Sequence, residues 1–150
     1  MSPFADIAIR LTAATLAGAV IGLNRDLHGK PAGVRTHGLV ALGAAVSTLL
    51  VVELTPGGVV DSNSVSRVVQ GIITGIGFLG AGVILRDAAG HVSGLTTAAT
   101  IWICAALGGL CGLGSWRLLL VSLALVLLIL WAGGPVEQLA ERWFKRGPPS

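Results

Sequence analysis

The sequence predicts an all-α membrane protein, a compact bundle of five transmembrane helices with its N-terminus outside and its C-terminus in the cytoplasm. Composition is the first reason: 53% of the 150 residues are hydrophobic and 11% are charged, against about 25% charged in an ordinary soluble domain. A soluble domain of this size has too much surface to cover with so few charges. The composition thus excludes most soluble enzymes, and a count of two cysteines excludes a disulfide-stapled secreted scaffold.

Five apolar runs are the second reason, because each is about as long as a membrane-spanning helix. A helix rises about 1.5 Å per residue, so roughly 17–25 residues cross about 30 Å of hydrocarbon. The runs lack the alternation of strands, and an open sheet in lipid would leave backbone groups unsatisfied. The predicted spans, which make up a membrane domain over residues 1–134, are Ile7–Leu23, Gly38–Leu54, Val68–Leu85, Leu95–Leu113 and Leu118–Gly134.

Lysine and arginine give the third observation, the orientation. Seven of the ten lie in the first loop, the third loop and the tail, which we place in the cytoplasm. These basic residues are scattered rather than gathered in a patch, so we expect no nucleic acid as partner. The apolar spans make a lipid bilayer the expected partner. Residues 1–6 hold one Asp and no Lys or Arg, which favours a retained first span over a cleaved signal peptide.

The third predicted span is rich in glycine. Its Gly75-x-Gly77-x-x-Gly80 matches a dinucleotide fingerprint, but no strand–helix unit surrounds it, so we reject nucleotide binding. Two interpretations stay open: close packing against another helix through Gly71 and Gly75, or a broken or mobile helix that exposes carbonyls, as in transporters. The same small-residue spacing occurs at Gly18/Gly22 and Gly108/Gly112, which we interpret as self-packing faces.

The fourth span carries a stripe of small polar residues. Its members recur at helical spacing, so they share one face, which should look inward, towards the glycines of the third span. The cysteines are two turns apart, too far for a disulfide within one helix, and we interpret them as small packing residues. The stripe consists of Thr97, Thr100, Cys104, Gly108 and Cys111.

Ionisable residues lie near the span ends. Asp26 and Arg35 in the first loop are candidates for function, as is Glu53 at the end of the second span, although snorkelling and loop salt bridges explain such positions too. The three histidines, His28, His37 and His91, have no ligand spacing and should be either solvated or hydrogen-bonded within their loops. Residues 135–150 form a charged tail, which we predict as a short amphipathic helix at the cytoplasmic interface, either a membrane anchor or a docking helix.

Three motifs together resemble the MgtC/SapB family. Arg25-Asp26 with Pro31–Val40 resembles its first cytoplasmic loop, and Gln70-Gly71 with Gly75–Leu85 resembles its third span. Gly94–Trp102 and Leu110–Gly114 resemble its fourth span. Asn24 and Ser93 depart from the family pattern, which commonly has charged residues at these positions. Both departures remove charge from the cytoplasmic rim.

The resemblance implies a multi-pass protein of the bacterial inner membrane, in a short form without the soluble C-terminal domain of longer members. The family is associated with adaptation to low magnesium and, in some pathogens, with survival inside host cells. It implies action by regulating other membrane machines, such as ATP synthase or ion pumps. The family is also labelled a magnesium transporter, which makes transport the alternative function.

Three classes of function follow from the residues and the resemblance. The first is a regulatory or assembly protein that binds another membrane complex through small-residue faces. The second is a transporter or channel for Mg²⁺ or another small solute, with Asp26, Glu53 and Asp87 as the acidic candidates. We expect no enzyme, since no nucleophile–base set or metal-ligand cluster is visible.

No cofactor and no metal site are predicted, and a symmetric dimer is the expected oligomer. The candidate functional residues are Arg25, Asp26, Arg35, Thr36, Gln70, Gly75, Gly77, Gly80, Arg86, Thr96, Thr97, Thr100 and Cys104.

Overall fold

The computed structural model of the chain describes residues 2–55, 61–86 and 90–144, with the backbone alone at 85–86, 137–142 and 144. Five helices in these ranges are long and apolar enough to cross a membrane, which confirms the predicted fold class. The protein is thus a multi-pass membrane protein, and its orientation stays a prediction. The elements are α1 (Pro3–Leu27), α2 (Val34–Glu53), α3 (Ser62–Val83), β1 (Leu85–Arg86), β2 (Val92–Ser93), α4 (Leu95–Gly112) and α5 (Trp116–Phe144).

Two helices begin at side chains that cap them. The Ser2 hydroxyl accepts a hydrogen bond from Ala5 N at 3.3 Å, and Pro3 occupies the first turn of α1, where its missing N–H costs nothing. The Asp61 carboxylate accepts bonds from the backbone N–H groups of Asn63 and Ser64 at the start of α3. These bonds hold the pKa of Asp61 below its ordinary value of 3.8.

Helices α1, α2 and α4 pack together as the centre of the bundle, and glycines set how close they come. A Cβ on Gly18 would overlap the carbonyl of His37, and one on Gly108 would overlap the carbonyl of Ala41. The predicted close packing of these glycines is confirmed, but their partner is α2 of the same chain. The prediction that they form faces for a second copy is therefore wrong, because α2 already covers them.

A small apolar core lies inside this centre and extends to α5. Three of its seven members are alanines, whose small side chains let the helices approach closely there. Cys111 is a free, fully buried thiol in this core, as expected for a packing residue. The fully or almost fully buried members are Ala14, Ala17, Ile21, Ala45, Leu107, Cys111 and Leu119.

Helix α3 lies beside α2 and α4 as one unbroken helix, so the prediction of a broken helix is wrong, while a mobile helix stays a prediction. Gly80 is its one buried residue, and a Cβ there would lie 3.7 Å from Ala98 Cβ. Gly71, Gly75 and Gly77 have open space at the Cβ position. Among the α3 glycines, Gly80 therefore packs against a neighbouring helix of the same chain. The prediction of close packing within the chain is wrong for Gly71 and Gly75.

Helix α5 lies against α4 and α1 and continues through Pro135 to Phe144 without a break. The sequence places a boundary at Gly134, where a span ends and an amphipathic tail begins. Trp143 is exposed, while most other side chains on which the predicted tail depends lie outside the described residues. Whether the tail lies at the interface stays a prediction.

The two ends of the bundle each contain an arginine that ties helices together. At one end, here called the Arg10 end, Arg10 Nη1 donates to Gly112 O at 2.8 Å and joins α1 to the last turn of α4. At the opposite end, the Arg25 end, β1 and β2 form a short antiparallel hairpin between α3 and α4. Gly94 ends this hairpin with φ of 88°, and a Cβ there would overlap Val83 O, so this turn requires glycine.

Candidate functional site

Five buried side chains at the Arg25 end form a polar cluster between α1, α2 and α4. Polar groups in a lipid-solvated bundle are costly unless they are hydrogen-bonded, and ionisable ones mark candidate functional sites. Arg25 belongs to α1, His37 to α2 and the other members to α4, so the cluster exists only once the three helices are packed. The polar cluster consists of Arg25, His37, Thr97, Thr100 and Cys104.

Arg25 lies in the last turn of α1 and reaches across to α4. Its side chain is 6% exposed, and its Nη2 donates to Thr97 Oγ1 at 2.8 Å. Its Nε is buried without a hydrogen-bond partner. In the part of the chain that the structure describes, the one ion pair joins Arg10 to Asp6, so no carboxylate there neutralises the Arg25 guanidinium. A buried cation without a counter-ion is expensive, which makes Arg25 the most unusual group of the cluster.

His37 lies fully buried in the first turn of α2 and links two helices. Its Nδ1 is 3.1 Å from Gly33 O, and its Nε2 is 3.1 Å from Thr100 Oγ1. The Cys104 thiol donates to the backbone carbonyl of His37 at 3.1 Å. His37 is therefore not solvated and lies in a helix; of the expected interpretations, only a hydrogen bond to the first loop holds, through Gly33 O. The helix begins at Val34, four residues before the predicted span, and this extension carries His37 into the bundle.

Thr100 can satisfy His37 in either protonation state. Its hydroxyl, which has one hydrogen and two lone pairs, lies 2.9 Å from Thr97 O as well as 3.1 Å from His37 Nε2. For a neutral ring protonated at Nδ1, Thr100 donates to Nε2. For a protonated ring, Nε2–H donates to the hydroxyl, which then donates to Thr97 O. The hydroxyl therefore absorbs the change of one proton without leaving a buried group unpaired.

Asp26 lies next to the polar cluster but serves the backbone. Its Oδ2 accepts from Val34 N at 3.0 Å, which caps the start of α2 from the end of α1. A Cβ on Gly33 would overlap this carboxylate, so the absence of a side chain at Gly33 admits it. Asp26 therefore closes the first loop, and its contacts are those of a structural cap.

The other candidate residues lie outside the polar cluster. Of those with described side chains, Gly80 is buried against Ala98, and the rest are exposed on the first turns of α2 and α4 or along α3. The side chain of Arg86 and all of Asp87 lie outside the described residues. The exposed candidates are Arg35, Thr36, Gln70, Gly75, Gly77 and Thr96.

The α4 stripe faces α1 and α2, not the glycines of α3 as the sequence predicted. Thr97 meets Arg25, Thr100 meets His37, and Gly108 packs on the backbone of α2 at Ala41. The prediction failed because α4 packs against α1, α2 and α3 alike, and small residues on two consecutive spans do not show which of these neighbours the polar stripe faces. One signal favoured the observed pairing: an arginine and a histidine flank the first loop at the same end as Thr97 and Thr100.

A second feature is an open groove between α2 and α3. It encloses about 370 Å³. Its walls carry small residues at four-residue spacing, with Gly43 and Ser47 on α2 and Gly71 and Gly75 on α3. A Cβ at any of the three glycines would meet nothing within 4 Å. We call this the α2–α3 groove, and it is the place where the backbone of α3 is open to a neighbour.

The chemistry of the polar cluster does not suit a cation. Its ionisable members are a guanidinium and an imidazole, and no hydrogen bond joins a carboxylate to any member within the described ranges. Those same ranges contain no group of three or more His, Cys, Asp or Glu residues placed to hold a metal ion. Hard cations such as Mg²⁺ prefer oxygen ligands, commonly carboxylates.

Comparison with known proteins finds both a family and individual relatives. The family model described as the MgtC family matches residues 11–139 of the sequence. Protein SrpB of Synechococcus elongatus is 44% identical over 148 residues, which cover 93% of this chain and 80% of SrpB. Protein MgtC of Salmonella typhimurium is 43% identical over 134 residues, or 89% of this chain and 54% of that protein.

Protein MgtC of Brucella abortus is 46% identical over 112 residues, which cover 75% of this chain and 44% of the relative. The chain therefore spans about half the length of the Salmonella and Brucella proteins that it matches. No solved structure matches the chain.

Proposed function

The chain belongs to the MgtC family, and we propose that it is a regulatory protein of the bacterial inner membrane that acts by binding other membrane machinery, not by catalysis. The resemblance described above links the family to adaptation to low magnesium, and we include that condition in the proposal. In this proposal α1, α2 and α4 hold the fold, and α3 supplies the binding face.

The observation that carries the proposal is the open backbone of α3 along the α2–α3 groove. Each glycine in a helix interior costs about 1 kcal/mol relative to alanine. In the centre of the bundle Gly108 offsets this cost by letting two backbones touch, whereas a Cβ at Gly71 or Gly75 would meet nothing within 4 Å among the described residues. A second helix laid in the groove would gain the close approach that these glycines permit.

The partner that fits this groove is a single transmembrane helix with small residues on one face. Both walls are apolar, and the Ser47 hydroxyl already donates to Gly43 O at 2.8 Å, so the groove offers shape rather than polar recognition. Helix association in lipid depends on such van der Waals contact, because lipid tails are as apolar as leucine. A second copy of this chain has the same small-residue stripe, so a homodimer is the alternative occupant.

Transport of Mg²⁺ or another small solute is the second candidate function. The observation that favours it is the pair of buried ionisable residues, Arg25 and His37. Arg25 and His37 lie within helices long enough to span a membrane, and intramembrane ionisable groups often line solute paths. Their positive or neutral character disfavours a divalent cation as the solute. Regulation therefore explains more of the observations.

Flux measurement separates the two candidates. Liposomes that contain the purified protein and a trapped Mg²⁺ indicator should give the same fluorescence after Mg²⁺ addition as protein-free liposomes with the same indicator. Saturable uptake that disappears in Arg25→Met would contradict a purely regulatory role and support transport. An ionophore added at the end of each trace verifies that the trapped indicator responds.

A groove variant tests the regulatory proposal in cells. Gly75→Leu fills the α2–α3 groove, whereas Gly77→Leu adds the same volume about 160° away around α3, also in open space. In a strain that lacks the gene, growth at low magnesium should be restored by wild type and Gly77→Leu but not by Gly75→Leu. Equal restoration by both variants at equal membrane abundance would rule out the groove as the binding face.

A further inference from the structure

The start of α4 has backbone N–H groups that no described residue of the chain accepts from. Its N-cap is Gly94, which has no side chain to accept from the first-turn N–H groups. Residues 2–55, 61–86 and 90–144 contain no acceptor within hydrogen-bonding distance of the N–H groups of Leu95, Thr96 or Thr97. A helix N-terminus carries about half a positive charge, and its unpaired N–H groups favour an anion.

The neighbouring start of α2 shows how the same chain satisfies such a position elsewhere. Its N-cap is also a glycine, Gly33, without a side-chain hydrogen bond. There the Asp26 carboxylate supplies the missing acceptor, with Oδ2 3.0 Å from Val34 N. Two helix starts at the same end of the bundle therefore have the same glycine cap, and one of them has an anion.

At α4 the chain instead places a second positive charge. Arg25 Nη2 bonds to the side chain of Thr97, the third residue of the helix, so the guanidinium lies against its first turn. The side chain is 94% buried, since 6% is exposed, and its Nε has no partner. The positive end of the helix dipole and the charge of Arg25 therefore lie side by side, and both attract an anion.

We propose that Arg25 and the N-terminal turn of α4 bind a phosphate group at the Arg25 end. A phosphate offers several acceptor oxygens, which suit both a guanidinium fork and backbone N–H groups of a helix start. Its charge balances that of Arg25, and bonds to Leu95 N and Thr96 N complete the first turn. The site goes beyond the proposed regulatory role and does not depend on the α2–α3 groove.

The source of the phosphate is either a lipid headgroup or a free phosphate ion, and the surroundings accommodate the first. Leu95, the first residue of α4, is 59% exposed, and Val92 on the strand before it is 52% exposed, so exposed apolar side chains lie at the start of α4. Acyl chains can lie along these side chains while the headgroup reaches the helix start. Free phosphate would reach the same N–H groups from the aqueous side.

Thermal unfolding of the purified full chain in neutral detergent tests the proposal. A thiol-reactive dye reports unfolding, because Cys104 and Cys111 are free and buried in the folded protein. Three additions are compared: inorganic phosphate, phosphatidylglycerol, and diacylglycerol with the same acyl chains but no phosphate. We expect phosphatidylglycerol or inorganic phosphate to raise the unfolding midpoint, and diacylglycerol to leave it unchanged.

Variants assign the effect to the site. Arg25→Met should weaken the apparent affinity about tenfold or more, as expected for loss of one charge-assisted contact, while Lys30→Met, an exposed cation at the same end, should respond like wild type. Thr96→Asp places a carboxylate in the first turn of α4, so it should raise the midpoint without ligand and reduce the response to phosphate. This second variant keeps the test decisive if Arg25→Met fails to fold.

The outcomes separate the two sources of phosphate. Stabilisation by both additions, or by inorganic phosphate alone, assigns a free phosphate site, and stabilisation by phosphatidylglycerol alone assigns a lipid headgroup. An equal response of wild type, Thr96→Asp and Lys30→Met overturns the proposal, since it would show non-specific attraction. No response of wild type to any phosphate also overturns it.

Discussion

Two sets of glycines look alike in the sequence and do opposite things in the fold. Gly18 and Gly108, in the centre of the bundle, each lie against a backbone carbonyl of α2, so any side chain there would overlap it. Gly71 and Gly75 on α3 have the same four-residue spacing as Gly18/Gly22 and Gly108/Gly112. A Cβ at either α3 position, however, would meet nothing within 4 Å among the described residues. The difference shows that a small-residue motif fixes how near a neighbour can come, but not which neighbour it is.

The largest expected effect on stability comes from adding one methyl group to a glycine in the centre of the bundle, compared with the same change on α3. Gly108→Ala should lower the free energy of unfolding by about 1–3 kcal/mol, the usual cost of overpacking. The reason is that the new Cβ overlaps the carbonyl of Ala41. Gly75→Ala should leave stability unchanged or raise it by up to about 1 kcal/mol, the gain in helix propensity. The thiol-dye unfolding midpoint in detergent measures both. A similar loss in both variants would mean that α3 is packed more closely than described.

The next effect tests whether the polar cluster belongs to the packed region. His37→Leu removes the hydrogen bonds at both ring nitrogens, and it should cost about 1–3 kcal/mol because buried partners are left unpaired. Thr96→Val, at an exposed side chain on the same end, serves as the control and should be neutral within about 0.5 kcal/mol. The measurement is denaturant unfolding in mixed micelles. A neutral His37→Leu would indicate that the cluster is free to rearrange.

The smallest effect concerns the start of α3, the helix with the open face. Because N–H bonds hold the pKa of Asp61 below 3.8 in the fold, its carboxylate stabilises the helix start above that pH. The stabilisation is lost as pH falls below 3.8 through the folded pKa. Hydrogen exchange at pH values on both sides of 3.8, corrected for intrinsic rates, should show the first turn of α3 lose protection in wild type. Asp61→Ala should show little further loss, and a wild-type turn that stays equally protected would contradict this.

The number of helices and the family were predictable from the sequence, and both are confirmed. Hydropathy counts spans reliably because lipid requires each span to satisfy its own backbone. The motifs of the first loop, third span and fourth span were long enough to identify the MgtC family.

The neighbour of each span was not predictable, and this is where the sequence analysis failed. Thr97 and Thr100 were correctly placed on an inward face, yet their partners Arg25 and His37 were assigned to a solvated rim. Residues just outside an apolar run look like loop residues, although the helix that contains His37 begins at Val34. Hydropathy does not detect one buried turn of polar residues.

The central claim is that the α2–α3 groove holds a helix of another membrane protein, and photo-crosslinking in living cells tests it most directly. A photoreactive amino acid is placed at position 75 or 47, on the two walls of the groove, and at position 77 as the control. The account predicts that positions 75 and 47 form adducts with the same membrane protein, identified by mass spectrometry, and that position 77 does not. If neither wall position forms an adduct with any protein, the groove is covered by lipid and the account is contradicted.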